Sequence, residues 1–203
     1  MKAAFRERTR GLDIRIGIMF AKLGLTPNTW TVLSLLIAIF GFVFLYDGML
    51  APGLACFVVS AFLDIVDGNV ARVTHSVSNL GAFLDGVVDR YVEFSLYLGL
   101  WFYLQSAPAV IFPSGFWMLL LVFGALMPSF ITAYADHRNV ITDQEKLKNI
   151  GGLLERFERL GLIYIGMLLG LVNVLWLEYT VVLVVFLANF TAVSRVFHVV
   201  WRK

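Results

Sequence analysis

The stretch TWTVLSLLIAIFGFVFLY, residues 29–46, is apolar on every side and contains no charged residue. A strand of a transmembrane barrel would alternate apolar and polar residues over only about ten positions, so this stretch indicates a membrane-spanning α-helix. The rest of the chain has the same character, because 60% of its 203 residues are hydrophobic, more than a soluble domain carries. We therefore predict an all-α, polytopic integral membrane protein.

Six such stretches follow one another along the chain, each near the length of about 20 residues that crosses a bilayer. They cover residues 27–47, 50–72, 79–104, 112–136, 154–176 and 179–200. The connections between them are short, and there is no strong internal repeat of the kind that many transporters show. We predict one membrane domain over residues 1–203, with a juxtamembrane helix at 1–25 and a six-helix transmembrane bundle at 26–203.

The N-terminal segment carries too many charges for the apolar region of a signal peptide. As a helix, it places apolar residues on one stripe: Phe5, Leu12, Ile16, Met19, Phe20 and Leu23. Its basic residues lie elsewhere: Arg6, Arg8, Arg10, Arg15 and Lys22. This pattern predicts an amphipathic helix in the membrane interface. Gly11 interrupts the pattern, so a frayed basic tail is the alternative.

Lysine and arginine are unevenly distributed among the connecting segments. They occupy the N-terminal segment, the connections at 72–78 and 138–150 and the C-terminus, and they are missing from 47–50, 105–113 and 173–178. Because positively charged connections tend to stay in the cytosol, both termini are predicted to be cytosolic.

Four aspartates interrupt the second and third spans in the stretch DIVDGNVARVTHSVSNLGAFLDGVVDR, residues 64–90. Asp64 and Asp67 are three residues apart and Asp85 and Asp89 are four apart, so each pair projects from one helix face. An antiparallel hairpin of the two spans would bring the carboxylates together on the cytosolic side. At membrane depth each ionised carboxylate costs about 3 kcal/mol unless a cation neutralises it. The cluster therefore predicts two Mg²⁺ or Mn²⁺ ions, an arrangement that suits displacement at phosphorus.

Small residues accompany these aspartates: Gly68, Ala71, Gly81 and Gly86. They let a ligand or a neighbouring helix approach the backbone. Glycine is also common in membrane helices, and a single aspartate near a helix end is often a solvated interface residue. Four aspartates at this spacing, with Arg72 after the second, favour a functional site.

The arrangement of these residues resembles the signature of the CDP-alcohol phosphotransferases, also called CDP-alcohol phosphatidyltransferases. The match is Asp64-x-x-Asp67-Gly68-x-x-Ala71-Arg72, then eight residues, then Gly81-x-x-x-Asp85-x-x-x-Asp89, without a substitution. A lone Asp-x-x-Asp would also suit an intramembrane prenyltransferase, which is not expected to show the Gly-x-x-Ala-Arg continuation. The likeness includes six spans, the N-terminal helix and Thr-Pro-Asn at 26–28, so it covers essentially the whole chain.

The resemblance implies transfer of a substituted phosphate from a CDP-linked donor to an alcohol, with release of CMP. It implies that Asp64, Asp67, Asp85 and Asp89 hold two metal ions and that Asp89 is also the general base. The positions implied for binding the CDP donor are Asn28, Thr29, Gly68, Ala71, Arg72, Ser78 and Gly81. Metal ligation keeps a carboxylate ionised, whereas a base takes up a proton, so the two roles of Asp89 are in tension.

The stretch GGLLERFERL, residues 151–160, resembles family members that use phosphorylated acceptors, such as inositol phosphate and glycerol 3-phosphate synthases. Arg156 and Arg159, with Arg138 nearby, are candidates for the acceptor phosphate, because a guanidinium binds phosphate oxygens bidentately. Positive residues at a cytosolic helix end are also expected from topology alone.

The chain departs from the family pattern at SFITAYAD, residues 129–136, which has Thr132 and Tyr134 where basic side chains are expected. This departure weakens the assignment of inositol phosphate as the acceptor. Arg195, inside the sixth span, is the fourth candidate for the acceptor phosphate, because an arginine in a membrane helix needs an anionic partner. It also lies within reach of the cytosolic interface, where it would be an anchor only.

We predict three partners: a CDP-linked lipid donor, a small polyol acceptor that is phosphorylated, and membrane lipid. No nucleic acid is expected. One alternative is a CDP-linked polar head group as donor; another is a cation channel or transporter, which would not need the nucleotide-binding signature. Cys56 can form no intrachain disulfide, and the three histidines lack the spacing of a zinc site. The sequence leaves open whether the chain forms a homodimer.

Overall fold

The computed structural model describes residues 2–141 and 152–201, and for residues 2–10 it describes the backbone alone. The described residues form seven α-helices and no β-strand. They are α1 (Lys2–Ala21), α2 (Pro27–Tyr46), α3 (Leu50–Val73), α4 (Asn79–Leu104), α5 (Ser114–His137), α6 (Arg156–Gly170) and α7 (Val174–Trp201). The prediction of an all-α chain is confirmed.

Four of these helices, α2, α3, α5 and α7, are long and apolar enough to cross a membrane. Helix α4 is long enough, but its first half carries several charged residues. Helix α6 has 15 residues and is therefore about 22 Å long, short of the roughly 30 Å of a hydrocarbon core. Large apolar side chains such as Phe40, Leu119 and Phe186 are exposed on the long helices, as in a protein whose outer surface faces lipid.

The boundary between the last two predicted spans was wrong. We predicted spans at 154–176 and 179–200, whereas α6 ends at Gly170 and α7 begins at Val174. The amides of Val172 and Asn173 close the last turn of α6 on the carbonyl of Leu169, and the Asn173 side chain accepts a hydrogen bond from Leu175 N at 3.0 Å. Asn173 thus caps the start of α7, which an apolar pattern alone does not reveal.

The N-terminal helix packs against α3 through a narrow face. A Cβ added at Gly17 would lie 2.7 Å from Asn69 O, and Ile16 and Phe20 pack against the buried cluster around Trp30. Leu12, Met19 and Leu23, which we predicted on the same stripe, are exposed. The side chains of Phe5, Arg6, Arg8 and Arg10 lie outside the described part of the chain, as does the connection at 142–151.

Helix α2 holds α3 and α4 together. Both helices pack closely on α2 but share few contacts with each other. Leu45 of α2 is fully buried because Gly53 of α3 and Gly99 of α4 leave room for it, and a Cβ at either glycine would approach Leu45 within 2.8 Å. Helices α5, α6 and α7 form a second group, joined to the first through α4·α5 and α3·α6 contacts.

The N-termini of α2 and α4 are both capped by a hydroxyl side chain. Thr26 caps α2, with Pro27 at its first turn, a position that needs no amide hydrogen. Ser78 caps α4 and accepts a hydrogen bond from Gly81 N at 3.0 Å. Both caps lie beside the stretch that carries the four aspartates.

Candidate active site

Three of the four predicted carboxylates come together between α3 and α4. Asp64, Asp85 and Asp89 each offer an oxygen within 4.8 Å of the others, and all three side chains are half-buried. Oxygen ligands at this spacing fit a hard divalent cation. Within residues 11–141 and 152–201, this is the one group of histidine, cysteine, aspartate or glutamate side chains with such geometry.

The fourth aspartate, Asp67, has a different environment. It is buried, and its Oδ2 accepts a hydrogen bond of 2.6 Å from Thr31 Oγ1 on α2. Its oxygens are not part of the group of three. The hydrogen bond from Thr31 holds this carboxylate against α2.

A cavity of about 220 Å³ opens beside the acidic group, between α2, α3 and α4. Most of the positions predicted for the CDP donor line it: Asn28, Gly68, Ala71, Arg72, Ser78 and Gly81. Asp67 and Asp85 line it as well, so the cavity is continuous with the carboxylates. Most of the residues predicted for the donor, from three helices, therefore line one cavity.

Thr29 does not line this cavity. Its hydroxyl lies 2.8 Å from Thr26 Oγ1, and its amide donates to the same oxygen at 3.3 Å. Thr31 lines the cavity instead and was missed. Its spacing of three residues from Asn28 could have indicated it, because both then lie on one face of α2.

Arg72 is oriented by its own helix. Its Nε donates to Gly68 O at 3.0 Å, and its Nη2 donates to Asn69 Oδ1 at 2.6 Å. A Cβ added at Gly81 would lie 3.1 Å from Ser78 Oγ, so a larger residue would crowd the cap. No neighbour lies near a Cβ added at Gly86, and packing within the described residues does not require that glycine.

A second cavity, of about 180 Å³, is lined by four arginines, one of which pairs with the acidic group. Arg156, Arg159 and Arg195 were predicted as ligands of an acceptor phosphate, and Arg90 was missed. Arg90 directly follows Asp89, which could have indicated its position. Arg138 does not line the cavity: it is exposed, and its guanidinium lies 6.0 Å from the centre of the Tyr134 ring.

Arg156 joins the two parts of the site. Its Nη1 donates to Asp64 Oδ2 at 3.4 Å, and its Nη2 lies 2.7 Å from Asp89 Oδ1. The second contact is an ion pair without hydrogen-bond geometry, because the buried Asp89 Oδ1 has no hydrogen-bond partner among the described residues. A cation or a proton that binds this oxygen would therefore compete with the Arg156 guanidinium.

The Arg159 side chain binds residues of α4. Its Nε and Nη2 donate to Glu93 Oε1 at 2.8 and 2.6 Å, and Tyr97 donates its hydroxyl to the same oxygen at 2.7 Å. Glu93 also pairs with Arg90 at 3.1 Å. Glu93 was missed in the sequence, although it lies one helical turn after Asp89.

Arg195 reaches the arginine cavity from α7. Its Nη1 donates to Pro128 O at 3.0 Å and to Thr132 Oγ1 at 3.1 Å, and its Nη2 lies 3.6 Å from Glu155 Oε1. Thr132, noted as a departure from the family pattern, thus supports Arg195. Tyr134, the second departure, is exposed and stacks on Phe130 with ring centres 5.4 Å apart, outside the cavity.

A model of the family described as CDP-alcohol phosphatidyltransferase matches residues 24–193, which include the whole acidic signature. The archaetidylinositol phosphate synthase of Pyrococcus horikoshii is 31% identical over 198 residues, which cover 97% of this chain and 95% of that protein.

Crystal structures of the phosphatidylinositol phosphate synthase of Mycobacterium tuberculosis share the fold at 24% identity. The structure with CDP-DAG bound superposes with a TM-score of 0.76 and covers 92% of each chain. The complex with manganese and citrate gives a TM-score of 0.77 and covers 92% of this chain and 88% of the other. The full-length likeness to the archaeal synthase and the family match across the site show that this chain belongs to the CDP-alcohol phosphatidyltransferase family.

Proposed function

We propose that this transferase moves a phosphatidyl-type group from a CDP-linked lipid to the hydroxyl of a phosphorylated polyol, and that it releases CMP. One observation carries the proposal: the group of Asp64, Asp85 and Asp89 adjoins two cavities. Asp85 lines the cavity that holds the family signature, and Arg156, which pairs with Asp64 and Asp89, lines the cavity with four arginines. A donor and an anionic acceptor could therefore meet at the carboxylates.

The signature cavity is the proposed donor site. Arg72 offers positive charge to the nucleotide phosphates, and the small residues Gly68 and Ala71 let the donor approach the backbone of α3. Asn28 and Ser78 supply polar atoms at the helix caps. Thr29, which lies outside the cavity lining, supports the site only through the cap of α2.

The carboxylates fit a divalent metal. Mg²⁺ or Mn²⁺, two ions in our proposal, would be held by Asp64, Asp85 and Asp89, with Asp67 as a further ligand. When bound, such ions neutralise the donor diphosphate and stabilise the departing CMP. The manganese complex of the Mycobacterium tuberculosis synthase, which has the same fold, supports this assignment.

Asp89 is the proposed general base. In the transfer, the acceptor oxygen forms a bond to the lipid-bearing phosphorus, the bond from that phosphorus to CMP breaks, and the hydroxyl proton passes to Asp89. Its Oδ1 has no hydrogen-bond partner in the described residues and lies next to Arg156, a residue of the arginine cavity. This position lets Asp89 serve an acceptor bound there.

The arginine cavity is the proposed acceptor site. Arg156 and Arg195 offer guanidinium groups to an acceptor phosphate, with Arg90 and Arg159 beside them. Arg138, one of the four predicted candidates, is not part of this cavity. The name of the Pyrococcus horikoshii relative favours inositol phosphate over glycerol 3-phosphate as the acceptor.

We also propose the topology that the sequence suggests. All six helices from α2 to α7 would cross the membrane as one domain. The charged half of α4 would face the interior of the bundle, and α6 would cross where the bilayer is locally thinner. Both termini and the active site would face the cytosol, with α1 as an interfacial helix on the cytosolic surface. Cysteine labelling of Ser76 and Ser106 variants from either side of the membrane tests this orientation.

An activity panel tests the function. Purified enzyme with Mg²⁺ is given a CDP-linked diacyl lipid, a CDP-linked ether lipid or a CDP-linked polar head group, and inositol phosphate, glycerol 3-phosphate or their unphosphorylated alcohols. We expect CMP release and a lipid product of matching mass with a CDP-lipid and a phosphorylated acceptor. Turnover restricted to the polar head group donor would overturn the proposal, as would ion conductance without CMP release.

A further inference from the structure

Glu93 contacts two arginines of the acceptor cavity without lining the cavity itself. Its side chain is 2% exposed, and it lies one helical turn beyond Asp89 on α4. Oε1 binds Arg159 and Tyr97, while Oε2 binds Arg90. A single carboxylate therefore fixes guanidinium groups from two different helices.

The geometry leaves a defined part of each guanidinium for a ligand. Arg159 uses Nε and Nη2 for Glu93, so Nη1 is the nitrogen that does not bind this carboxylate. Arg90 uses Nη1 for Glu93, so its Nη2 and Nε do not. Since both arginines line the cavity, their remaining N–H groups are available to an anion there.

We infer that Glu93 is a positioning residue for the acceptor: its buried carboxylate holds Arg90 and Arg159 in the orientation in which they bind the acceptor phosphate. This inference rests on the proposed function, because it assumes an anionic acceptor in the arginine cavity. The donor cavity contains neither arginine, so Glu93 acts on one substrate and not on the other.

Glu93→Gln is the direct test, because glutamine keeps the shape but replaces one carboxylate oxygen with an amide that donates hydrogen bonds. That amide turns N–H groups toward one of the arginines and displaces it. We expect the KM for the phosphorylated acceptor to rise about tenfold, the loss from one charge-assisted hydrogen bond. The KM for the CDP-lipid should change less than about twofold, since the donor cavity is untouched.

Glu178→Gln is the matched control. Glu178 is as buried as Glu93, but it accepts a hydrogen bond from Val110 N at 3.4 Å and lies about 25 Å of helix before Arg195 on α7. Both variants remove a buried carboxylate, and Glu178→Gln does so without removing the partner of a buried arginine. We expect Glu178→Gln to leave both KM values unchanged, and thermal unfolding in detergent is measured for each protein.

Glu93→Gln leaves buried Arg159 without its counter-charge, so Glu93→Asp is tested with it. Aspartate keeps the charge but is one methylene shorter, and we expect the same selective rise in acceptor KM at a smaller size. If Glu93→Gln does not fold, Glu93→Asp decides alone. An unchanged acceptor KM in a folded variant, or an equal rise for both substrates, would overturn the inference while wild-type turnover remains normal.

If the proposed function is wrong, the activity assay gives a different result. In that case wild-type enzyme would show no turnover with any phosphorylated acceptor, before a variant is compared. Such a result would overturn both the function and the role of Glu93.

Discussion

Arg156 Nη2 lies 2.7 Å from Asp89 Oδ1, so a residue at the start of α6 meets the last aspartate of the signature on α4. This contact connects the acidic group to the arginine cavity, and it joins the two halves of the helical bundle.

The acidic group should make activity depend on a divalent cation. Asp64→Asn or Asp85→Asn removes a charge from the proposed metal site, and we expect turnover to fall about 100-fold or more. Asp47→Asn, an exposed aspartate at the end of α2, is the control and should keep full activity. CMP release is measured with Mg²⁺, with Mn²⁺ and in excess chelator. Full turnover in chelator would refute the metal mechanism.

Asp89→Asn should separate binding from chemistry. An amide cannot take up the hydroxyl proton, so we expect kcat to fall about 100-fold or more, the usual contribution of a general base. Binding of the CDP-lipid should survive in part, because Asp89 does not line the donor cavity. Steady-state kinetics and a donor-binding titration check this. Unchanged kcat in the variant would remove Asp89 as the base.

Arg156 competes with a metal for the same carboxylates. Its guanidinium lies against Asp64 and Asp89, and removing one positive charge at this distance should favour a cation by about 1.4 kcal/mol, or tenfold. Arg156→Gln should therefore bind Mn²⁺ more tightly and show a larger rise of the unfolding temperature when Mn²⁺ is added.

Arg138→Gln is the control for Arg156, because Arg138 carries the same charge but lies outside the site. It should leave Mn²⁺ affinity unchanged. Calorimetric titration with Mn²⁺ compares the two variants, and weaker Mn²⁺ binding by Arg156→Gln would mean that this arginine supports the metal site.

Substitution of Arg195 should change the KM for the acceptor and not the KM for the donor. Arg195→Ala removes a guanidinium that lines the arginine cavity, and we expect the KM for the phosphorylated acceptor to rise about tenfold. Arg195→Lys keeps the charge without the planar fork and should give an intermediate value. The KM for the CDP-lipid should stay nearly constant.

Thr132→Val tests the support of Arg195, because valine removes the hydroxyl that accepts from Nη1 at nearly constant volume. We expect a smaller rise in acceptor KM than for Arg195→Ala. Equal effects on donor and acceptor in both variants would mean that Arg195 is an anchor at the membrane interface.

The sequence by itself determined the helices and the carboxylates. Long apolar stretches can only satisfy their backbone hydrogen bonds in a bilayer as helices, and the observed ends of α2, α3 and α4 agree with the predicted spans to within one residue. Part of the acidic group was also readable, because the spacing of Asp85 and Asp89 places both on one face of α4. The same reasoning for Asp64 and Asp67 did not reveal that Asp67 lies against Thr31.

Tertiary structure decided which residues meet across helices. Thr31 reaches Asp67, Arg156 reaches Asp89 and Glu93 reaches Arg159, over 36, 67 and 66 positions of the chain. Such contacts depend on how far α3 and α4 separate on α2, and small residues such as Gly53 and Gly99 set that separation through close packing against Leu45. Hydropathy and motif spacing describe one helix at a time, whereas a charge buried between helices is stabilised only by the partner that packing brings to it.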